Sequence, residues 1–172
     1  SVGTPVDATP EFIQSALSDA SNAPSYPLTA GMPELKSAIH QWATTTLGAT
    51  GEFSVLPLIG SKEFVAWLPT FLESQTVLYP EVAYPTYLVG ALLGQSQATP
   101  VSLGASSWPD ADLAWVNSPS NPTGRVHSET EFRAAINWSR AKSAVVVSDE
   151  CYLEFGDTKT PASIMKYTDG NN

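Results

Sequence analysis

Apolar residues along this chain fall into two alternating patterns. Short runs rich in β-branched or apolar residues predict strands: "SVLPLI" (Ser54–Ile59), "TVLY" (Thr76–Tyr79), "QATPVSL" (Gln97–Leu103), "LAWV" (Leu113–Val116) and "AVVVSD" (Ala144–Asp149). Longer segments of helical period flank them: Pro10–Ala20, Pro33–Leu47, Ser61–Leu72, Tyr84–Gly94 and Ser128–Lys142. Strands alternating with helices predict βαβ units, and hence an α/β fold of three layers, α/β/α, around a mostly parallel sheet. "LAWV" and "AVVVS" carry no polar alternation, so both of their faces are expected to be buried between helices. Local chemistry supports three helix starts. Pro10 and Pro33 suit a first turn, where no amide hydrogen is required, and Ser128 with Glu131 forms a capping box. Internal repeats, heptads and low-complexity tracts are not seen.

Composition narrows the class. The 172 residues suffice for one core, 42% are hydrophobic, and 17 acidic against 8 basic residues leave a net charge of -9. That charge argues against nucleic acid or an anionic membrane as partner, both of which favour a basic footprint. No apolar run is long enough to cross a bilayer, and "SVGTPVDATP" lacks the basic-then-apolar order of a signal peptide. The single cysteine, Cys151, has no internal partner, so the expected compartment is the cytoplasm.

In a sheet of this kind, ligands lie beyond the carboxyl ends of the strands. Four stretches occupy such positions: Gly60–Lys62, Tyr79–Tyr87, Asn117–Arg125 and Asp149–Tyr152. Gly60 and Ser61 open a helix, where free amide hydrogens suit a phosphate, although an ordinary strand-to-helix turn has the same composition. The tyrosines of "YPEVAYPTY" can stack on a flat ring or simply fill a core. Asp149, at the inner end of an apolar strand, needs a cation or a protonated ring nitrogen as partner unless it caps the following loop. Glu150 points the opposite way by strand periodicity, which disfavours one metal held by both; no metal is expected. His40 reads as a helix-face histidine, His127 as a loop histidine, and Cys151 as a small buried side chain.

Five stretches in this order, "YPLTAGMPELK" (Tyr26–Lys36), "GSKE" (Gly60–Glu63), "YPEVAYPTY" (Tyr79–Tyr87), "NSPSNPTG" (Asn117–Gly124) and "SDECY" (Ser148–Tyr152), resemble the class I and II aminotransferases of pyridoxal-phosphate fold type I. The resemblance runs from "SVGTPVD" to about Met165, and its finer wording is similar to the N-succinyldiaminopimelate aminotransferases of actinobacteria. It implies pyridoxal 5'-phosphate as cofactor and amino transfer between glutamate/2-oxoglutarate and an amino-acid/oxo-acid pair, N-succinyldiaminopimelate and its oxo acid on the route to lysine. It also implies a homodimer.

Residue by residue, the resemblance gives Gly3 a backbone position beside the substrate and sends Tyr26 to the cofactor phosphate of the partner subunit. Gly60, Ser61 and Lys62 hold the phosphate by main-chain amides, and Tyr84 stacks on the ring. Asn121 and Tyr152 bond its phenolic oxygen, Asn121 also lying near the substrate carboxylate, and Asp149 pairs with the ring nitrogen. Asp149, Tyr152 and Asn121 form the expected catalytic set. The family's Schiff-base lysine has no match, since Lys159 and Lys166 lack its serine-rich context, and Arg125 matches neither of the family's anion-binding arginines. The chain is therefore expected to be an internal fragment: an N-terminal arm over 1–25, the first part of the large cofactor-binding domain over 26–172, and no C-terminal small domain. Other readings are a carbon–sulfur lyase of the same fold, a noncatalytic cofactor-binding module, and a generic nucleotide-binding domain, the last disfavoured by the absence of Gly-x-Gly-x-x-Gly.

Overall fold

The computed structural model describes residues 5–102, 105–155 and 161–168. Four strands, β1 (Thr76–Pro80), β2 (Gln97–Val101), β3 (Leu113–Asn117) and β4 (Val145–Asp149), form one parallel sheet in the order β2-β1-β3-β4. The helices are α1 (Glu11–Asp19), α2 (Pro33–Trp42), α3 (Ser61–Phe71), α4 (Thr86–Leu93) and α5 (Glu129–Lys142).

Strand alternation sorts the core into two sides. Val77, Leu113 and Trp115 pack with Val65 and Leu68 of α3 and Tyr87 and Ala91 of α4. The intervening Leu78, Ala114 and Val116 pack with Phe132, Ala135 and Ile136 of α5. These are the three expected layers. Every residue of β3 is buried, as its unbroken apolar run implies. β4 is only partly buried, with Val145 exposed, because among the described residues it lies at the end of the strand order and has β3 alone beside it.

Several expectations shift. Ser54–Ile59 is no strand: Pro57 lacks an amide hydrogen, Leu56, Leu58 and Ile59 are exposed, and no described strand pairs with the segment. The helix expected over Pro33–Leu47 turns π-helical at Ala43–Leu47, where Thr44 and Thr45 return their hydroxyls to His40 O and Gln41 O at 2.9 and 2.8 Å. Gly48, at φ +70°, ends it. Pro10 precedes α1 as its N-cap instead of entering the first turn, whereas Pro33 does start α2. Both halves of the Ser128–Glu131 capping box form. No residue of α1 or α2 is buried.

The pair α3 and α4 approaches closely at Gly90. A Cβ there would stand 2.9 Å from Val65 O and Ala66 O, and Pro69 supplies no amide hydrogen to Val65 O. Gly90→Ala is accordingly expected to lower unfolding free energy by roughly 1–3 kcal/mol through overpacking, although alanine alone favours a helix over glycine. A denaturant midpoint equal to that of the parent protein would contradict this contact.

Candidate active site

The sheet's carboxyl edge is tied together by Asn117, the last residue of β3. Asn117 faces Asp149 in the register of β3 with β4; its Nδ2 donates to Asp149 O at 2.8 Å and to Pro119 O at 3.2 Å, and its Oδ1 accepts from the Asn121 amide at 2.6 Å. Ser118 N also donates to Asp149 O, at 3.1 Å. The loop then folds back on itself, Gly124 N to Ser120 O at 2.7 Å and Ser120 N to Arg125 O at 2.9 Å, with Gly124 at φ +70°. The Ser118–Pro119 and Asn121–Pro122 peptides are cis. An ion pair between Arg125 and Glu131 fastens the loop's exit to α5.

These contacts open a cavity of ≈ 200 Å³ at the strand ends, lined by Ser61, Lys62, Tyr84, Asn121, Asp149 and Tyr152 together with Val65, Asn117 and Cys151. Six positions singled out in the sequence thus meet in one place. Ser61 and Lys62 are the first residues of α3, which Gly60 precedes with no side-chain cap, so the amides of the first turn have no capping side chain. The Asn121 amide group stands 3.5 Å from the Tyr152 hydroxyl. Tyr84, half-buried, meets Tyr87 edge-on at 5.8 Å.

Tyr26 is 98% exposed and touches none of this cavity. Gly3 lies outside the described residues. Cys151 is exposed, not buried as its small size suggests; its side chain borders the cavity, and partial burial, then Asp149, raise the thiol's pKa to about 11. His127 is buried in its loop, its ring stacked on Phe132 at 5.3 Å, and burial lowers its pKa, which keeps it neutral at pH 7. His40 lies on α2 with its ring on Phe53 at 4.4 Å.

Glu150 turns away from Asp149, as its periodicity predicts, and accepts from Ser148 Oγ at 2.7 Å and Ile164 N at 2.8 Å. Burial raises its pKa above the ordinary 4.5 more than these donors lower it. The folded chain therefore binds this proton more tightly than the open chain, and stability falls as pH climbs from about 4.5 through the raised value. Glu150→Gln is expected to gain on the parent protein across that window; parallel stability curves would contradict it.

Tyr87 and Asn117 carry no strong signal in the sequence. Tyr87 donates to Asp149 Oδ2 at 2.8 Å from 62 positions away, and only its spacing of three from Tyr84 hints at a shared site. Asn117 could have been found as the one polar residue ending an apolar run.

The family model for aminotransferase class I and II matches residues 1–170. The chain belongs to the class I and II aminotransferases. This family uses pyridoxal phosphate. The chain is 44% identical over 170 residues to the 4-dedimethylamino-4-oxo-anhydrotetracycline transaminase OxyQ of Streptomyces rimosus, covering 95% of itself and 47% of that relative. It is 44% identical over 171 residues to a probable aminotransferase of Mycobacterium tuberculosis, covering 96% of itself and 41% of the relative. Among solved structures, a probable N-succinyldiaminopimelate aminotransferase from Thermus thermophilus matches with a TM-score of 0.82 at 26% identity, over 95% of this chain and 50% of that one. The chain thus spans about half the length of the aminotransferases it matches.

Proposed function

We propose that this chain is the cofactor-binding part of a pyridoxal-phosphate-dependent aminotransferase that moves an amino group between glutamate/2-oxoglutarate and an amino-acid/oxo-acid pair. The observation that carries the reading is the convergence of Ser61, Lys62, Tyr84, Asn121, Asp149 and Tyr152 on one cavity at the carboxyl edge of a parallel sheet. The donor set suits the cofactor: an uncapped helix start for a phosphate, a carboxylate for a ring nitrogen, an aromatic face, and an amide beside a phenol for a ring oxygen. When bound, pyridoxal phosphate supplies an electron sink for the substrate α-carbon.

The chain's own residues orient and charge that sink. The amides of Gly60, Ser61 and Lys62 hold the phosphate, and the Lys62 side chain has no assigned catalytic part. Tyr84 stacks on the ring. Asn121 and Tyr152 donate to its phenolic oxygen, with Asn121 also beside the substrate carboxylate. Asp149 holds a proton on the ring nitrogen, since a carboxylate nearby favours the charged form of its partner. Gly3 borders the substrate through its backbone. The exposed Tyr26 reaches the phosphate of the other subunit in a homodimer, and the apolar Trp67, Phe71, Leu92 and Leu93 on the outer sides of α3 and α4 leave surface for further packing. In domain terms, residues 1–25 are an arm and 26–172 the first part of the large domain.

For substrate, N-succinyl-LL-2,6-diaminopimelate and its 6-oxo acid are proposed, on the likeness to the Thermus enzyme. The 44% identity to OxyQ favours 4-dedimethylamino-4-oxo-anhydrotetracycline as a second acceptor to offer. The natural protein loaded with pyridoxal phosphate should form 2-oxoglutarate from glutamate beyond one equivalent per bound cofactor only when an acceptor is present to take the amino group, and the faster of the two acceptors names the substrate. Cleavage of cystathionine without any acceptor-dependent 2-oxoglutarate would instead indicate a carbon–sulfur lyase.

A further inference from the structure

Asp149 offers two oxygens with unequal partners. Oδ2 accepts the Tyr87 hydroxyl at 2.8 Å, whereas Oδ1 accepts the amide of Cys151 at a longer 3.3 Å. Tyr87 is held by two aromatic neighbours. Its ring is fully buried, lies on the indole of Trp115 at 4.9 Å with 20° between planes, and meets Tyr84 edge-on at 5.8 Å. It belongs to the first turn of α4 and does not line the cavity. Burial, and then the charge of Asp149, push its phenol's pKa upward, so it stays a hydrogen donor at any working pH.

We propose that Tyr87 is a positioning residue that fixes the rotation of the Asp149 carboxylate, leaving Oδ1 as the oxygen presented to the cofactor's ring nitrogen. The inference rests on the reading of Asp149 as that nitrogen's partner. A carboxylate at a strand end turns about its own side-chain bonds, and one donor on an immobile aromatic ring removes that freedom. Trp115 and Tyr84 make the donor immobile, so the order of support runs from Trp115 through Tyr87 to Asp149. Tyr84 shares the same contact, which couples the aromatic wall of the cavity to the carboxylate at its inner end.

The test uses holoenzyme carrying pyridoxal phosphate labelled with nitrogen-15 in the ring, as the parent protein and as Tyr87→Phe, Asp149→Ala and the double variant. Phenylalanine keeps the ring and its stacking and removes only the hydroxyl. Tyr87→Phe should move the ring-nitrogen signal part of the way that Asp149→Ala moves it. It should also lower kcat roughly 10- to 100-fold, the range of a lost hydrogen bond to a charged group, with KM for glutamate within about threefold. In the Asp149→Ala background the same change should cost less than about twofold. An unmoved nitrogen signal in Tyr87→Phe, or an equal cost in both backgrounds, overturns the inference while leaving Asp149 in place. An unmoved signal in Asp149→Ala overturns the reading beneath it. Should Tyr87→Phe fail to fold, 3-fluorotyrosine in place of Tyr87 keeps ring and hydroxyl and strengthens the donor; a nitrogen signal identical to the parent's would then overturn the inference.

Discussion

Asp149→Ala is expected to lower kcat by roughly 10²–10³-fold, the scale of losing one preorganised charge partner at a reacting centre. Cofactor affinity should fall by less, about tenfold or under, because the phosphate contacts proposed for Gly60, Ser61 and Lys62 lie at the start of α3 and not on β4. The asymmetry follows from position: Asp149 ends β4 and Ser61 begins α3, so the proposed arrangement rests the two ends of the cofactor on different elements. Removing the carboxylate also strands the Tyr87 hydroxyl in a buried place, a cost of about 1–3 kcal/mol in stability. Steady-state kinetics and cofactor titration on the same preparations check the split. Equal loss of turnover and affinity would count against pairing with the ring nitrogen.

Trp115→Ala should be the most damaging single change to the fold. The indole is 1% exposed, lies between the sheet and the α3–α4 layer with Val65, Leu68 and Leu113, and backs Tyr87. Deleting such a side chain leaves a cavity that its neighbours cannot close, at roughly 3–5 kcal/mol, against a typical total of about 5–15 kcal/mol. Its ring nitrogen has no hydrogen-bond partner among the described residues, so Trp115→Phe sheds an unmatched donor along with some packing area and should cost less than the alanine change. Chemical denaturation of the three proteins measures the order. A Trp115→Phe protein as unstable as Trp115→Ala would contradict that order.

Much of this was readable because the controlling signals are local. Unbroken apolar runs located β1, β3 and β4, and the serine and glutamate of the capping box fixed the start of α5. The strand-end rule then pointed to Tyr84, Asn121, Asp149 and Tyr152 as neighbours, and they line one cavity together with Ser61, which follows a segment that is no strand. Ser54–Ile59 failed for the same physical reason that the others succeeded. An apolar run reports a wish for burial, not a partner, and no described strand pairs with this one. The π-helical turn after α2 was hidden because its bonds depend on how Thr44 and Thr45 return their hydroxyls, which periodicity does not register. Tyr87 and Asn117 act on Asp149 across 62 and 32 positions, a range at which no window of sequence carries the contact.

The most direct measurement is a crystal structure of the natural protein with pyridoxal phosphate bound. The proposed function predicts the ring between Tyr84 and the loop of Asn121, its nitrogen within hydrogen-bond reach of Asp149 Oδ1, and its phosphate on the amides of Ser61 and Lys62. A ring nitrogen facing solvent, or a phosphate bound away from the start of α3, would contradict it.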